Sequence, residues 1–127
     1  MLADHPVYAA LPTADVAALR PFHEDLLGFK VLEETAGGIY YQAGQGTFFA
    51  VSRQTGTPSG THTQMGFAVP DVETEVAELR ARGVVFELYD GLTRPDGIAA
   101  MPAGRAAWFK DPDGNLIGMI QLFDHAG

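Results

Sequence analysis

Four histidines, His5, His23, His62 and His125, are the side chains best suited to bind a transition metal or to move a proton near neutral pH. Their spacing does not gather them into a motif. His5 lies three residues before Tyr8 and has the wrong parity to share its face; His23 falls in a stretch with helical spacing, and His125 is in the tail. His62 lies two residues before Gln64, so an extended chain points both to one face. Solvent-exposed or hydrogen-bonded roles are expected for all four. Two carboxylates stand in Asp111-Pro112-Asp113-Gly114-Asn115, a turn sequence in which Asp side chains bond nearby backbone N–H groups rather than an ion. There is no cysteine, which removes disulfides, thiolate nucleophiles and Cys-ligated zinc. There is also no G-x-S-x-G elbow, no phosphate loop and no G-x-G-x-x-G after a strand. Gly44-Gln45-Gly46 reads as a hairpin turn.

The 127 residues suit one domain, and an apolar share of 46% against 19% charged supports a packed core. A net charge of −8 argues against nucleic acid, whose phosphates need Lys and Arg. It suits a cationic ligand, and a charge of this size also serves solubility alone. No apolar run approaches the ~20 residues that span a bilayer, so no membrane association is expected. The first residues lack the basic-then-apolar pattern of a signal peptide, so the cytoplasm is the expected location.

The elements read as one pattern given twice. Val7 to Leu11 is a short strand between two prolines, expected to be buried on both faces. Thr13 or Asp15 caps a helix over Val16 to Leu27, with a start or bend set by Pro21 and an end at Gly28. Strands follow at Lys30 to Glu34, Ile39 to Ala43 and Thr47 to Ser52. Residues 53–61 are rich in Gly, Thr, Ser and Pro and read as a linker. The pattern then restarts: strand Gln64 to Val69, a helix from Val72 stopped by Gly83, and strands Val84 to Tyr89, Arg105 to Lys110 and Leu116 to Phe123. Asp15 and Asp71 lie 56 residues apart, Gly28 and Gly83 lie 55 apart, and the last two strands repeat at 67 or 68. The expected fold class is α+β: two βαβββ modules, about 5–53 and 62–124, joined by a linker at about 54–61 in a single domain of residues 1–127. Their curved mixed sheets would enclose a cleft. The longer second-half loop, Asp90 to Gly104, is either a lid that orders on ligand binding or a loose connection.

This order, together with Phe22-His23-Glu24-Asp25-Leu26-Leu27-Gly28-Phe29, Phe67-Ala68-Val69-Pro70-Asp71-Val72 and Phe109-Lys110-Asp111-Pro112-Asp113-Gly114-Asn115, resembles the vicinal-oxygen-chelate superfamily, the glyoxalase / bleomycin-resistance / dioxygenase proteins. His23 stands where that family's helix end usually has Tyr. The resemblance covers nearly the whole chain. It implies dimers, and for the family's enzymes a divalent metal held by His, Glu or Gln on the first and last strand of each module. Counting from Asp15, Asp71 and Gly114 carries those positions to Tyr8, Gln64 and Gly118, with the fourth at or near Ala50.

Alkyl, bare backbone, phenol and one amide are a poor donor set; a phenol keeps its proton until about pH 10. No metal and no cofactor are therefore expected. Small residues at Ala50, Gly66 and Gly118 leave room, and Tyr8, Phe48, Trp108 and either Tyr40 or Tyr41 supply rings. The ligand-binding residues expected are Tyr8, Phe48, Ala50, Gln64, Trp108 and Gly118. The function expected is that of a metal-free homodimeric binding protein of the bleomycin-resistance type, sequestering a drug or metabolite that is cationic or aromatic. The alternative is a lyase, isomerase or ring-cleaving dioxygenase. It would use a metal with atypical ligands, or acid–base work by Tyr8, His62 or Glu87.

Overall fold

The computed structural model describes residues 1–54, 56–102 and 104–122. The chain divides into two compact units, Met1–Pro58 and Ser59–Gly127. Each is built on a four-stranded mixed sheet with few helices.

In the first unit β1 (Ala9–Thr13) leads to α1 (Val16–Arg20), and β2 (Val31–Thr35), β3 (Gly38–Gln42) and β4 (Phe48–Arg53) follow. The sheet order is β1-β4-β3-β2, with β1 and β4 parallel and the rest antiparallel. Asp15 caps the helix, its carboxylate accepting from Ala18 N at 3.2 Å, while Thr13 Oγ1 accepts from Asp15 N at 3.0 Å. Pro21 has no N–H for the α ladder, so the helix widens there into a π turn over Pro21–Leu26, closed by Leu27 N to Phe22 O at 3.0 Å. Gly28 then takes φ 81°, the left-handed exit that the sequence predicts. β1 starts two residues later than its sequence suggests. Val7 (89% exposed) and Tyr8 (48% exposed) precede it, and within it only Leu11 and Thr13 are buried, so burial on both faces is not observed. The buried face of this sheet, with Leu11, Ile39, Tyr41, Phe49 and Val51, packs with Leu19 and His23 as the unit's core.

The second unit runs β5 (Thr63–Ala68), α2 (Val72–Ala81), β6 (Ala99–Met101), β7 (Gly104–Lys110) and β8 (Leu116–Leu122), in sheet order β5-β8-β7-β6 with β5 and β8 parallel. Asp71 caps α2 through Glu73 N and Thr74 N, and Gly83 leaves it at φ 104°. Val84 to Tyr89 does not form the expected strand. It makes one isolated bridge, Phe86 to Phe109, plus a bond from Glu87 N to Trp108 O at 2.8 Å. The third strand is instead β6, which lies inside the 90–104 loop and pairs with the start of β7. The remaining strand ends fall within a residue or two of expectation; Phe123 and His125 lie outside the described residues. In the Asp111–Asn115 turn, Asp111 Oδ1 accepts from Asp113 N and Asn115 N, both at 2.9 Å, and Oδ2 accepts from Asn115 Nδ2 at 2.7 Å.

Candidate functional site: two sheet faces with small floors

Strand alternation gives each sheet a second face, away from its core side. In the first unit that face carries the Ala10–Ala50 pair, with Tyr40 opposite Ala50 across β3 and β4. Tyr8, just ahead of β1, stacks on Phe48 at 4.9 Å between centroids and 22° between planes. Tyr40 stands 6.1 Å from Tyr8 and 6.0 Å from Phe48, completing a three-ring cluster. The sequence leaves open whether Tyr40 or Tyr41 joins this face; it is Tyr40. Tyr41 points into the core and donates to Glu24 Oε2 at 2.9 Å, where Arg20 Nε also donates at 2.6 Å. The Arg20 bond holds the Glu24 carboxyl below its ordinary range, aided by the Tyr41 hydroxyl, while burial pushes the Tyr41 phenol up. Arg20 also bonds Glu34, tying the helix to β2.

In the second unit Gly66 pairs with Gly118 across β5 and β8, and Trp108 lies opposite Gly118 across β7 and β8. A Cβ on Gly118 would come within 3.2 Å of the Trp108 ring, so the indole rests over bare backbone. Trp108 Nε1 donates to Thr63 Oγ1 at 3.2 Å, and the ring meets Tyr89 edge-on at 5.7 Å. A recess of about 240 Å3 opens here, lined by Thr63, Gly66, Met101, Trp108, Gly118 and Ile120 among others. Among the described residues, no ionisable side chain lines it.

Of the expected site residues, the structure groups Tyr8, Phe48 and Ala50 on the first sheet and Trp108 and Gly118 on the second. Gln64 falls at a bulge between Thr63 and Met65, and it is Thr63 that meets Trp108 and Gly118. Thr63 is not among the residues that the sequence points to, because the bulge hides it; Met101 is expected from the sequence only as part of the 90–104 loop, whereas it sits on strand β6.

Residues 93–99 of the 90–104 loop are held by several contacts. Thr93 bridges Ala99, Arg94 pairs with Glu73 at 2.9 Å and Asp96 at 2.7 Å, and Arg80 donates to Asp96 O at 2.6 Å. Ile98 and Ala99 are buried.

His5 and His62 are exposed, His62 Nδ1 lying 2.9 Å from Ser59 Oγ. His23 is fully buried at 0% exposure, so the solvent-exposed role is not observed for it, and it is packed among the rings of Phe22, Phe29, Tyr41 and Phe49. Burial drives its pKa from 6.5 down to about 4. Among the described residues, no group of three or more His, Asp or Glu is placed to hold a metal ion. The side chains at the four inherited positions do not fit a divalent metal either, since they include neither imidazole nor carboxylate.

The chain matches the Glyoxalase/Bleomycin resistance protein/Dioxygenase superfamily over residues 4–119. It belongs to that superfamily. Solved glyoxalase/bleomycin-resistance structures share its fold. TnmS3, an antibiotic binding protein from Streptomyces sp. CB03234, is 28% identical with a TM-score of 0.67, over 93% of this chain and 95% of that one. A bleomycin-binding protein complexed with bleomycin is 24% identical with a TM-score of 0.67, over 92% and 98%. A superfamily member from Nocardioides is 21% identical with a TM-score of 0.69, over 95% and 86%. At the latter two identities the likeness is one of fold. No curated protein matches the chain. Among the described residues no helix is long and apolar enough to cross a membrane.

Proposed function

We propose that this protein binds and sequesters a small molecule, a drug or metabolite, without a metal and without transforming it. The observation that carries the reading is the uncharged recess beside Trp108, where glycine, Gly118, stands at one of the strand positions that the resemblance assigns to a metal ligand. The likeness to TnmS3 supports an antibiotic as the kind of molecule held. Concave, mostly apolar surfaces with aromatic walls are the usual form of such sites. The reading includes a cytoplasmic homodimer. Pairing is supported by the apolar groups exposed on the second sheet, among them Gly66, Ala68 and Ile120.

The test is a thermal-shift screen of antibiotics, followed by recovery of each bound compound and metal analysis of the dialysed protein. A true ligand at 100 times its Kd stabilises by about 2.7 kcal/mol, and it should be recovered unchanged. Stoichiometric Fe, Mn, Ni or Zn after dialysis, or a chemically altered compound, would point to the enzyme instead. Sedimentation equilibrium tests the homodimer.

A further inference from the structure

An aspartate followed by glycine can modify itself, because glycine puts no side chain in the way of its own amide nitrogen. The chain has three such pairs, Asp90-Gly91, Asp96-Gly97 and Asp113-Gly114. The fold treats them differently. The Asp96 carboxylate is committed to Arg94 at 2.7 Å and to Ile98 N at 3.0 Å. Gly97 is buried, its N–H donates to Arg94 O at 2.9 Å, and a Cβ there would come within 2.8 Å of Phe86 Cβ. Asp113 stands in a turn closed on Asp111: Asp113 N donates to Asp111 Oδ1 and Gly114 N to Asp111 O, both at 2.9 Å. Asp90 and Gly91 are exposed, and a Cβ on Gly91 would meet nothing within 4 Å. Among the described residues, neither the Asp90 carboxylate nor the Gly91 N–H has a hydrogen-bond partner. The chain on either side of them is pinned. Leu92 N and Thr93 N both donate to Tyr89 O at 3.0 Å, and Tyr89 N donates to Thr93 Oγ1 at 2.8 Å.

We infer that Asp90-Gly91 is a site of spontaneous backbone isomerisation, the one of the three pairs that the native fold leaves reactive. The Gly91 nitrogen bonds to Asp90 Cγ. The Cγ–OH bond breaks, and the hydroxyl leaves with the amide proton as water. The product is a cyclic imide, a succinimide, which water then opens. Attack at Cγ restores aspartate. Attack at the former backbone carbonyl leaves the chain running through the side chain, one methylene longer, with a carboxylate branching from it. One water is lost and one gained, so no oxidant, metal or second protein takes part. The longer link falls between Tyr89 and Thr93 and spreads the turn that they close. Tyr89 meets the Trp108 ring, and Thr93 bridges Ala99, so isomerisation loosens both that ring contact and the held stretch 93–99.

The test is ageing of the whole protein at neutral pH in heavy-oxygen water, with a parallel sample in urea. Each passage through the ring leaves one heavy oxygen at the residue, whichever way the ring opens, and fragmentation mass spectrometry locates it. In urea the three pairs share one chemistry and should label at comparable rates. In the folded protein Asp90 should label at least about tenfold faster than Asp96 or Asp113, which react only after local opening. Asp90→Glu keeps the charge but would need a larger, slower-forming ring. It should leave residue 90 unlabelled and fold as wild type, since the position is exposed. The isomerised fraction, separated by chromatography, should show altered emission from Trp108 and faster amide exchange over residues 93–99. Aged Asp90→Glu should show neither change. Label that appears first at Asp96 or Asp113, equal rates at all three in the folded protein, or an Asp90 that labels in urea but not when folded overturns the assignment. An isomerised fraction with unchanged emission and exchange overturns the loosening.

Discussion

Acidification should unfold this protein through His23 in a measurable, separable way. The ring is fully buried, and burial lowers its pKa from 6.5 to about 4 against a smaller opposing pull from Glu24. A histidine with a lowered folded-state pKa favours the neutral form, so its contribution is complete above the unfolded pKa and is lost as pH falls from about 6.5 towards 4. At 1.36 kcal/mol per pKa unit the loss amounts to about 3 kcal/mol, a large part of the ~5–15 kcal/mol that holds a typical domain together. The experiment is urea unfolding of wild type and His23→Phe at a series of pH values. Phenylalanine keeps a ring among Phe22, Phe29, Tyr41 and Phe49 but cannot titrate. Carboxylate titrations are common to both proteins and cancel in the difference. The wild-type stability relative to the variant should fall by about 3 kcal/mol between neutral pH and about pH 4. Parallel pH curves, or an NMR-titrated His23 pKa near 6.5, would refute the reasoning.

The Asp-Pro-Asp-Gly-Asn turn should respond to one carboxylate and not the other. Asp111→Ala removes three acceptor contacts from a buried site and should cost about 2–5 kcal/mol in chemical denaturation, while exposed Asp113→Ala stays within about 0.5 kcal/mol. Gly118→Ala brings a Cβ to 3.2 Å from both Thr63 and Trp108, so the indole must shift. Tryptophan emission should change and stability fall by about 1–3 kcal/mol. Gly38→Ala drives a Cβ into the Val51 carbonyl and Ser52 backbone at φ 156°, where neither side yields cheaply; a melting curve should show a loss above about 3 kcal/mol, or no folded protein at all.

The repeat was legible because its punctuation is local. Asp15 and Asp71 cap helices, Gly28 and Gly83 leave them at positive φ, and the Asp111–Asn115 turn closes on its own side chains. What failed was set by partners distant in sequence. Val84 to Tyr89 has strand-like composition, yet β7 pairs with it at only one bridge, and the short Ala99–Met101 strand takes the edge although its surroundings are rich in Gly and Pro. The bulge at Gln64 leaves no mark in the residue types and changes which side chain meets Trp108. Counting places Tyr8 on the first strand, but the count could not show that β1 begins after it. His23 is buried within the π turn that begins at Pro21, and a helical repeat alone does not report that turn.

Each sheet is completed by a parallel pair formed within its own half of the chain, β1 with β4 and β5 with β8. A ribosome releases the N-terminal part first, at about 5–20 residues per second. The last strand of the first sheet, ending at Arg53, emerges before the second sheet's first strand, beginning at Thr63, exists outside the tunnel. The nascent first half therefore has all four strands of its own sheet while its sibling is still being made. Order of arrival thus favours pairing within a half over pairing between two such similar halves.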